Sequence, residues 1–529
     1  MRIPVVNVNT IGIIKDVSPH ELPLEAWSNG SNCRVQNGAL EKFKGHNQAF
    51  APVVEPYWLM PVPIGGAYYW LYAGAAKVYA VTGTSHTDIS RTVGGAYTAL
   101  PNSWTGGIIN GLPVLNDGTD VPQMWSPVSL AQALTPLSNW PAGWLAATLR
   151  PFKQFLIAMD ITKSGSRFAQ LVAWSHPALP GLIPSSWDSA DVTKDAGENT
   201  LSETAGAVID CLPLRDYNIV YKDDSIYLMQ FVGGIKVFNF IRIGKEGGLL
   251  ARNCVRAFSH RGEKHFAFSL NDIFVHDGQN VEGLLSKRAK AFIANNMDPN
   301  NYGRSFVVAN YAKAEMWACF PTITNAFPNL ALVWNWIDNT TTFRDLPLAS
   351  FAESGLVSPF AFTAIWDTEI SNWEADPLVW DTKSFSPATQ EILLARSGAG
   401  TKNLYVCDST DRYDGVDFSF FVERQGLTIA GRSSRGELIE DIEIVKELQK
   451  VWPRIEAPNG TAIQVYTGAV MERNETISWQ GPATFTVGTD EYVDLPVTGR
   501  LLGVKFTHTG NAPVRILGYD LDIVSRGRY

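Results

Sequence analysis

Six hairpins recur between residues 67 and 345, and each joins two short, aromatic-rich strands through a tight polar turn. In residues 217–221 and 226–231, for example, apolar residues alternate with polar or small ones, which is typical of half-buried strands. The turns centre near residues 74, 111, 165, 223, 262 and 313. Their mean separation of about 48 residues matches the roughly 40–50 residues of a four-stranded propeller blade. The repeat therefore predicts an all-β protein with a β-propeller body.

The same pattern divides the 529-residue chain into three parts. Residues 1–56 are predicted to form an extended N-terminal arm with one short helix near residues 20–28. Residues 57–410 are predicted to be the propeller with long loops, in which 350–400 are an insertion or a divergent blade because their periodicity is weak. Residues 411–529 contain six closely spaced strands, which predict a C-terminal β-sandwich-like domain. The number of blades stays open.

Composition restricts the classes of function. Aromatic residues make up 11% of the chain and charged residues only 18%, which favours sheets packed face to face. The formal net charge of −9 argues against a protein that grips nucleic acid over its whole surface. That charge does not exclude a protein through which DNA merely passes.

Five cysteines are scattered along the chain without any CxxC pair, which predicts reduced, mostly buried thiols in a protein assembled in a reducing cytoplasm. Residues 56–76 carry no charge, but two prolines and two glycines interrupt them, so we expect no membrane span. Residues 1–16 have no basic start followed by an apolar core, so we expect no secretory signal. The sequence thus predicts a soluble protein. The cysteines are Cys33, Cys211, Cys254, Cys319 and Cys407.

Histidines are the first candidates for a metal site. His260, His265 and His276 lie close together in the sequence around one predicted hairpin. A zinc site would need a third and fourth ligand close by, and no cysteine or acidic cluster supplies them. We therefore interpret these three histidines as exposed turn residues.

The segment 408–417 has four aspartates around one glycine, at a spacing of three residues. Calcium loops place their oxygen ligands at alternate positions instead, so we interpret the segment as a solvated turn between domains. Residues 116–120 and 276–280 resemble parts of the Asp-box turn of sialidases but lack its serine and tryptophan in register. They predict ordinary β-turns. The four aspartates are Asp408, Asp411, Asp414 and Asp417.

Motifs for nucleophilic or phosphate chemistry are missing from the sequence, which contains no GxSxG, GxxxxGK[ST] or GxGxxG string. The 52 acidic residues make carboxylate pairs inevitable, so such pairs do not identify a glycoside hydrolase. Lys287, Arg288 and Lys290 are the densest basic cluster, and we assign them a loop or interface role. We predict no enzyme, no catalytic, cofactor-binding or metal residues, and no cofactor.

Short strings in the arm and the loops are informative together. The arm contains Lys15-Asp16, Glu21-Leu22-Pro23, Ala26-Trp27-Ser28 and Asn32-Cys33-Arg34-Val35, followed by Gly38, Glu41 and Gly45. Further strings are Tyr72-Ala-Gly74, His86-Thr-Asp88-Ile-Ser90, Asn116-Asp-Gly118, Pro122-Gln, Trp125, Trp140-Pro141, Trp174-Ser-His-Pro177, Pro184-Ser-Ser-Trp187-Asp188, Asp195-Ala-Gly197, Leu332-Val-Trp-Asn-Trp336 and Gly518-Tyr-Asp-Leu-Asp-Ile523. Over residues 10–350 and at the C-terminus, the chain resembles the tail nozzle virion proteins (packaged-DNA stabilisation or tail tube B type) of short-tailed, podovirus-type bacteriophages.

The resemblance implies a structural protein of the phage tail, assembled in the host bacterial cytoplasm. It implies a homo-oligomer, a hexameric ring below the portal and the tail adaptor protein, in contact with tail fibres or a tail needle. The lumen of the ring would retain the packaged DNA and conduct it during ejection without binding it specifically. An acidic subunit suits such a conduit, because a cationic lining would bind phosphates. Two alternatives remain: a glycan-degrading tail propeller, and a receptor-binding or lectin-like tail module.

Overall fold

In the computed structural model, which describes residues 2–64, 67–234, 236–244, 247–357, 390–398, 400–433 and 437–528, the chain is almost entirely β-structure. The strands form a seven-bladed β-propeller joined to a two-sheet sandwich, so the predicted fold class is confirmed. Within these ranges the helices are α1 (Lys290–Asn296) and three 3₁₀ turns at Pro19–Glu21, Tyr302–Arg304 and Tyr311–Lys313. In the part of the chain so described, no helix is long and apolar enough to cross a bilayer.

The N-terminal arm is a series of short strands distributed over several sheets. The predicted helix near residue 20 is only the 3₁₀ turn at Pro19–Glu21, because the residue before Pro23 is forced into an extended conformation. Leu22 accordingly has φ −71° and ψ 136°. The strands are β1 (Arg2–Val5), β2 (Gly12–Ile13), β3 (Ala26–Trp27), β4 (Asn29–Ser31), β5 (Cys33–Gln36), β6 (Ala39–Lys42) and β7 (His46–Phe50).

Blades one to four are antiparallel meanders of consecutive strands. The first strand of each blade lies nearest the axis, where it contacts the first strand of a neighbouring blade. Blade one is β8 (Trp58–Ile64), β9 (Ala67–Ala73), β10 (Val78–Thr82) and β11 (Ser85–Asp88), and blade two is β12 (Thr105–Ile109), β13 (Leu112–Asn116), β14 (Gln123–Met124) and β15 (Thr135–Pro136). Blade three is β16 (Trp144–Phe152), β17 (Phe155–Lys163), β18 (Ser166–Trp174) and β19 (Gly197–Thr200), and blade four is β20 (Val208–Leu214), β21 (Tyr217–Lys222), β22 (Ile226–Phe231) and β23 (Phe238–Ile243).

Blades five to seven complete the ring. Strands β2 and β3 extend blade six, and β7 pairs with β34 as the outermost strand of blade seven. Blade five is β24 (Val255–Ser259), β25 (Glu263–Phe268), β26 (Ile273–His276) and β27 (Val281–Gly283), and blade six is β28 (Phe306–Asn310), β29 (Glu315–Phe320), β30 (Leu330–Asn335) and β31 (Thr340–Asp345). Blade seven is β32 (Ala349–Gly355), β33 (Glu391–Arg396) and β34 (Asn403–Cys407), together with β7.

The segment 350–400, predicted as an insertion or a divergent blade, supplies parts of blade seven. Most of β32 and all of β33 lie within it, and these two strands pair antiparallel. Residues 358–389 lie outside the described residues.

The six predicted hairpins are not equivalent positions of one repeat. The turns near residues 111, 262 and 313 join the first and second strands of a blade, whereas those near 74, 165 and 223 join the second and third. This difference contributes to the unequal spacing between the predicted turns. The first strands of successive blades begin roughly 48 residues apart on average, as a four-stranded blade requires.

The C-terminal residues form a sandwich of two antiparallel sheets with the arm woven into both. One sheet has the order β41-β38-β43-β6-β5, with β1 also paired to β43, and the other has the order β4-β35-β42-β39-β40. The C-terminal strands of these sheets are β35 (Ser419–Leu427), β38 (Ile444–Glu456), β39 (Ala462–Val470), β40 (Ser478–Thr486), β41 (Val493–Gly499), β42 (Leu501–Thr509) and β43 (Arg515–Arg528). A separate two-stranded sheet is formed by β36 (Ile429–Arg432) and β37 (Leu438–Glu440).

A single hydrophobic core runs from the sandwich into blades four, five and six. Trp27 of the arm lies near its middle, with its ring centroid 6.4 Å from that of Phe506 and 5.8 Å from that of Tyr519. The indole N–H of Trp27 donates to Oδ1 of Asn9 at 3.0 Å, so its buried polar atom is satisfied. The arm thus packs as an internal element between propeller and sandwich.

Candidate functional site

The most distinctive polar cluster is a buried ionic junction between the arm, blade six and the segment that follows blade seven. Oδ2 of Asp408 lies 2.5 Å from Nη2 of Arg34, and Oδ1 lies 2.7 Å from Nη1 of Arg344. Asn310 of blade six donates its Nδ2–H to the same carboxylate at 3.1 Å. Arg34 and Arg344 are only 4% and 1% exposed. One carboxylate therefore bridges two buried cations from different parts of the chain.

Burial and nearby charges have opposite effects on the pKa values of the carboxyl groups in this junction. Burial alone would raise the pKa of Asp408, but the guanidinium groups of Arg34 and Arg344 outweigh it and lower that pKa to about 2. Burial dominates at Glu315, whose pKa is raised although Nε of Arg34 lies 3.1 Å from its carboxylate. Asp408 is therefore the anion on which the junction depends.

Asp408 corrects one sequence interpretation, since we predicted a solvated turn over residues 408–417. Its side chain is only 13% exposed, because the backbone turns it inward toward Arg34 and Arg344. Asp417, by contrast, forms an ion pair with Arg412 in which both side chains are nearly half exposed. Across the described ranges, no three His, Cys, Asp or Glu side chains are grouped so that they could hold a metal ion.

The histidine interpretation is wrong for two of the three residues. His265 and His276 are 0% and 1% exposed, because they face each other across β25 and β26 with both side chains directed into the blade. Each ring hydrogen-bonds the hydroxyl of Tyr221, at 2.8 Å for His265 Nδ1 and 2.5 Å for His276 Nε2. Both faces of β25 from His265 onward, and of all of β26, are buried, so the alternation of the sequence carried no signal of this burial. His260 precedes the turn between β24 and β25.

Burial of these rings predicts a loss of stability in acid. It lowers the pKa of His265 to about 3 and that of His276 to about 4, below the ordinary value of 6.5. Between about pH 6.5 and pH 4 the unfolded chain binds more protons, so each histidine should remove about 1.4 kcal/mol of stability per pH unit as the pH falls. Urea unfolding across this range measures the slope. A His276→Gln variant should show a shallower slope, and an unchanged slope would contradict the assignment.

The propeller axis contains a cavity of about 320 Å³ between blades one, two, three, five and seven. Arg150 projects into it and forms a bidentate pair with Asp210, with both N–O distances at 2.8 Å. Arg256 on its wall pairs with Glu353 at 2.6 Å. Both guanidinium groups are thus held by carboxylates, so their charges in the axial cavity are neutralised.

The predicted basic cluster is the docking point of the arm on the propeller. The backbone carbonyl of Arg288 accepts hydrogen bonds from the N–H groups of Lys15 and Asp16 at 2.6 and 3.2 Å. The carboxylate of Asp16 accepts from the N–H groups of Ala291 and Phe292 at 2.7 and 2.9 Å, in the first turn of α1. An anion there satisfies otherwise free helix donors. The interface that this cluster forms is intramolecular.

The other sequence predictions concern turns and thiols. Asp117 accepts from the N–H groups of Thr119 and Asp120, and Asp277 accepts from those of Gln279 and Asn280. Both Asp-box-like strings are therefore turns closed by an aspartate side chain, as predicted. All five cysteines are buried and free.

Blade three brings together four of the strings that are separate in sequence. Trp174 donates its indole N–H to the carbonyl of Asp195 at 3.0 Å, and the N–H of Asp195 donates to Nδ1 of His176 at 3.0 Å. The rings of Trp140 and Trp187 pack at 4.8 Å with an interplanar angle of 73°. A side chain in place of Gly197 would collide with Trp174, since its Cβ would lie 2.5 Å from the indole. These strings form one interlocked surface.

Comparison with known proteins adds a coarse likeness of fold. No family model matches the chain, and no curated protein does. The AfRom2 CNH domain is 8% identical, with a TM-score of 0.36 over 69% of this chain and 98% of that one. The WD40 β-propeller domain of Doa1 is 12% identical, with a TM-score of 0.33 over 69% and 94%. Apo AztD from Citrobacter koseri is 10% identical, with a TM-score of 0.31 over 60% and 93%.

Proposed function

We propose that this chain is a structural subunit of the tail nozzle of a short-tailed bacteriophage. In this proposal six copies form a ring below the portal and the tail adaptor, in contact with tail fibres or a tail needle. The ring retains the packaged DNA and conducts it during ejection. The protein resides in the virion after assembly in the host bacterial cytoplasm.

One observation carries the proposal: several of the strings that resemble the tail nozzle family contact one another in the fold. Around blade three, strings separated by up to about 50 residues in sequence contact one another through Trp140, Trp174, Trp187 and Asp195. The arm strings contact other parts of the fold: Arg34 pairs with Asp408 and Asp16 caps α1, and neither partner lies in a similar string. Residues that fit together as a unit support a resemblance to a whole fold more strongly than isolated matches would.

The tight linkage between propeller, sandwich and arm suits a subunit that forms the wall of a ring under mechanical force. The arm adds strands to both sheets of the sandwich and to two propeller blades, so the two bodies are linked by backbone hydrogen bonds and by a shared core. A close-packed interior transmits force without yielding. The net charge of −9 supports passage of DNA rather than its retention on the protein surface.

Co-expression tests the proposal. The full chain would be produced with the portal and adaptor proteins encoded in the same genome, purified as a complex and imaged by negative-stain electron microscopy. We expect a six-fold ring of this chain at the distal end of the adaptor, with an axial opening. A chain that stays off the portal–adaptor complex, or joins it as a peripheral trimer, would favour the receptor-binding alternative.

A further inference from the structure

A surface cavity of about 430 Å³ lies at one end of blade three, where Trp144 begins β16 and Lys163 ends β17. The loop that contains Ser186 and Trp187 forms its other side, and Glu198 of β19 completes it. Pockets of this size hold small organic ligands. Neither the ionic junction nor the docking of the arm uses this cavity.

The cavity has a fixed aromatic wall. Trp144 is half-buried, and its ring packs edge-to-face with that of Trp140 at 6.4 Å and 88°. The indole N–H of Trp140 donates to the carbonyl of Trp144 at 2.8 Å, which holds the pair in place. Phe168 is 46% exposed. It lies near the cavity, with its ring centroid 5.8 Å from Nζ of Lys163. Flat apolar surface is therefore held in position beside solvent.

Hydrogen-bond donors and acceptors both surround this aromatic wall. Nζ of Lys163 lies 4.2 Å from the ring centroid of Trp144 and forms an ion pair with Glu198. The exposed Asp188 and Asn139 also line the cavity. Ammonium, carboxylate and amide groups thus provide donors and acceptors around the edge of an apolar platform.

Trp187 supports the wall from behind. It lines the cavity, is 4% exposed, and its ring packs on that of Trp140 at 4.8 Å and 73°. Its indole N–H has no hydrogen-bond partner in the described part of the chain and almost no exposed surface. The aromatic rings around Trp144 therefore form one packed cluster.

We infer that blade three carries a carbohydrate-binding site. A pyranose has an apolar face of C–H groups that stacks on an aromatic ring, and its rim of hydroxyl groups both donates and accepts hydrogen bonds. Trp144 provides the platform, while Lys163, Glu198 and Asp188 bind the hydroxyl groups. This inference does not depend on the proposed nozzle role, because a surface lectin site is compatible with any assembly state.

Saturation-transfer NMR on the full chain tests the inference, with N-acetylglucosamine, methyl α-glucoside and methyl α-galactoside as probes. We expect saturable binding of at least one saccharide with a Kd of about 1 mM, which corresponds to a shallow, preformed site. Trp144→Ala should weaken it about tenfold or more, and Glu198→Gln should weaken it about threefold while preserving the wall.

Trp452→Ala is the matched control, because Trp452 is also half-buried and also lies under a cation, with Cζ of Arg2 at 4.9 Å from its ring. This variant should bind the saccharide as the unmodified chain does. Thermal unfolding verifies that all variants are folded, and Glu198→Gln remains informative if Trp144→Ala does not fold. Absence of binding by all three saccharides, unchanged affinity in both blade-three variants, or equal loss in the control would overturn the inference.

Discussion

Deletion of residues 2–50 is expected to leave a chain that cannot reach the native fold. The arm contributes eight almost fully buried apolar side chains, each worth about 1.5–3 kcal/mol of stability. Their sum of about 12–24 kcal/mol is as large as, or larger than, the 5–15 kcal/mol that stabilises a typical domain. They are Ile3, Val5, Val8, Ile13, Trp27, Val35, Leu40 and Phe43. The truncated protein should be insoluble, or should lack near-UV circular dichroism and a cooperative thermal transition.

A cleavable arm would distinguish the effect of losing the contacts of the arm from the effect of losing its covalent link to the propeller. A protease site inserted after the exposed Ala51, between β7 and β8, would allow the arm to be cut once the protein has folded. We expect the cut arm to co-elute with the rest of the chain in native buffer and to separate only in denaturant. Dissociation of the arm in native buffer would show that its strands contribute little to the fold.

Replacement of Asp408 by asparagine should destabilise the protein by about 3–5 kcal/mol, because it removes the anion that two buried guanidinium groups share. Asparagine is the informative choice. Asp408 has φ 60°, a left-handed conformation that asparagine adopts readily, so the backbone is not additionally strained. Urea or thermal unfolding at neutral pH measures the change.

Asp417→Asn is the matched control within the same turn. Asp417 forms an ion pair with Arg412 at 2.6 Å, but the two side chains are 44% and 47% exposed. Solvent-exposed pairs contribute about 0–1 kcal/mol, so this variant should be nearly as stable as the unmodified protein. Equal losses in the two variants would show that the burial of Asp408 is not what makes it important.

The blades could be predicted from sequence because the alternation that produces them is local. A strand such as β21 has its pattern within a few residues, and its partner follows directly after a turn. The closure of blade seven could not be predicted in this way. Strands β7 and β34 are separated by more than 350 residues, and β7 is a short edge strand without clear alternation. Non-local pairing leaves no periodic signal in either segment.

The ionic junction was missed for the same physical reason. Arg34, Arg344 and Asp408 are far apart in sequence, and each looks like an ordinary charged residue in its own segment. The one local hint is Arg344, which follows Phe343 inside a strand whose other residues are mostly buried. The Asp-box-like turns were predicted correctly because an aspartate side chain closes them within three residues.

The pairing of β1 with β43 determines when this protein can finish folding during synthesis. Ile3 lies opposite Leu521, so β1 has to wait for a partner strand that is made more than 500 residues later. At about 5–20 residues per second that wait is roughly 25–100 s. Throughout it β1 lacks this partner strand. A nascent chain therefore cannot close the sandwich sheet that contains β1 and β43 until residues 519–522 have left the ribosome.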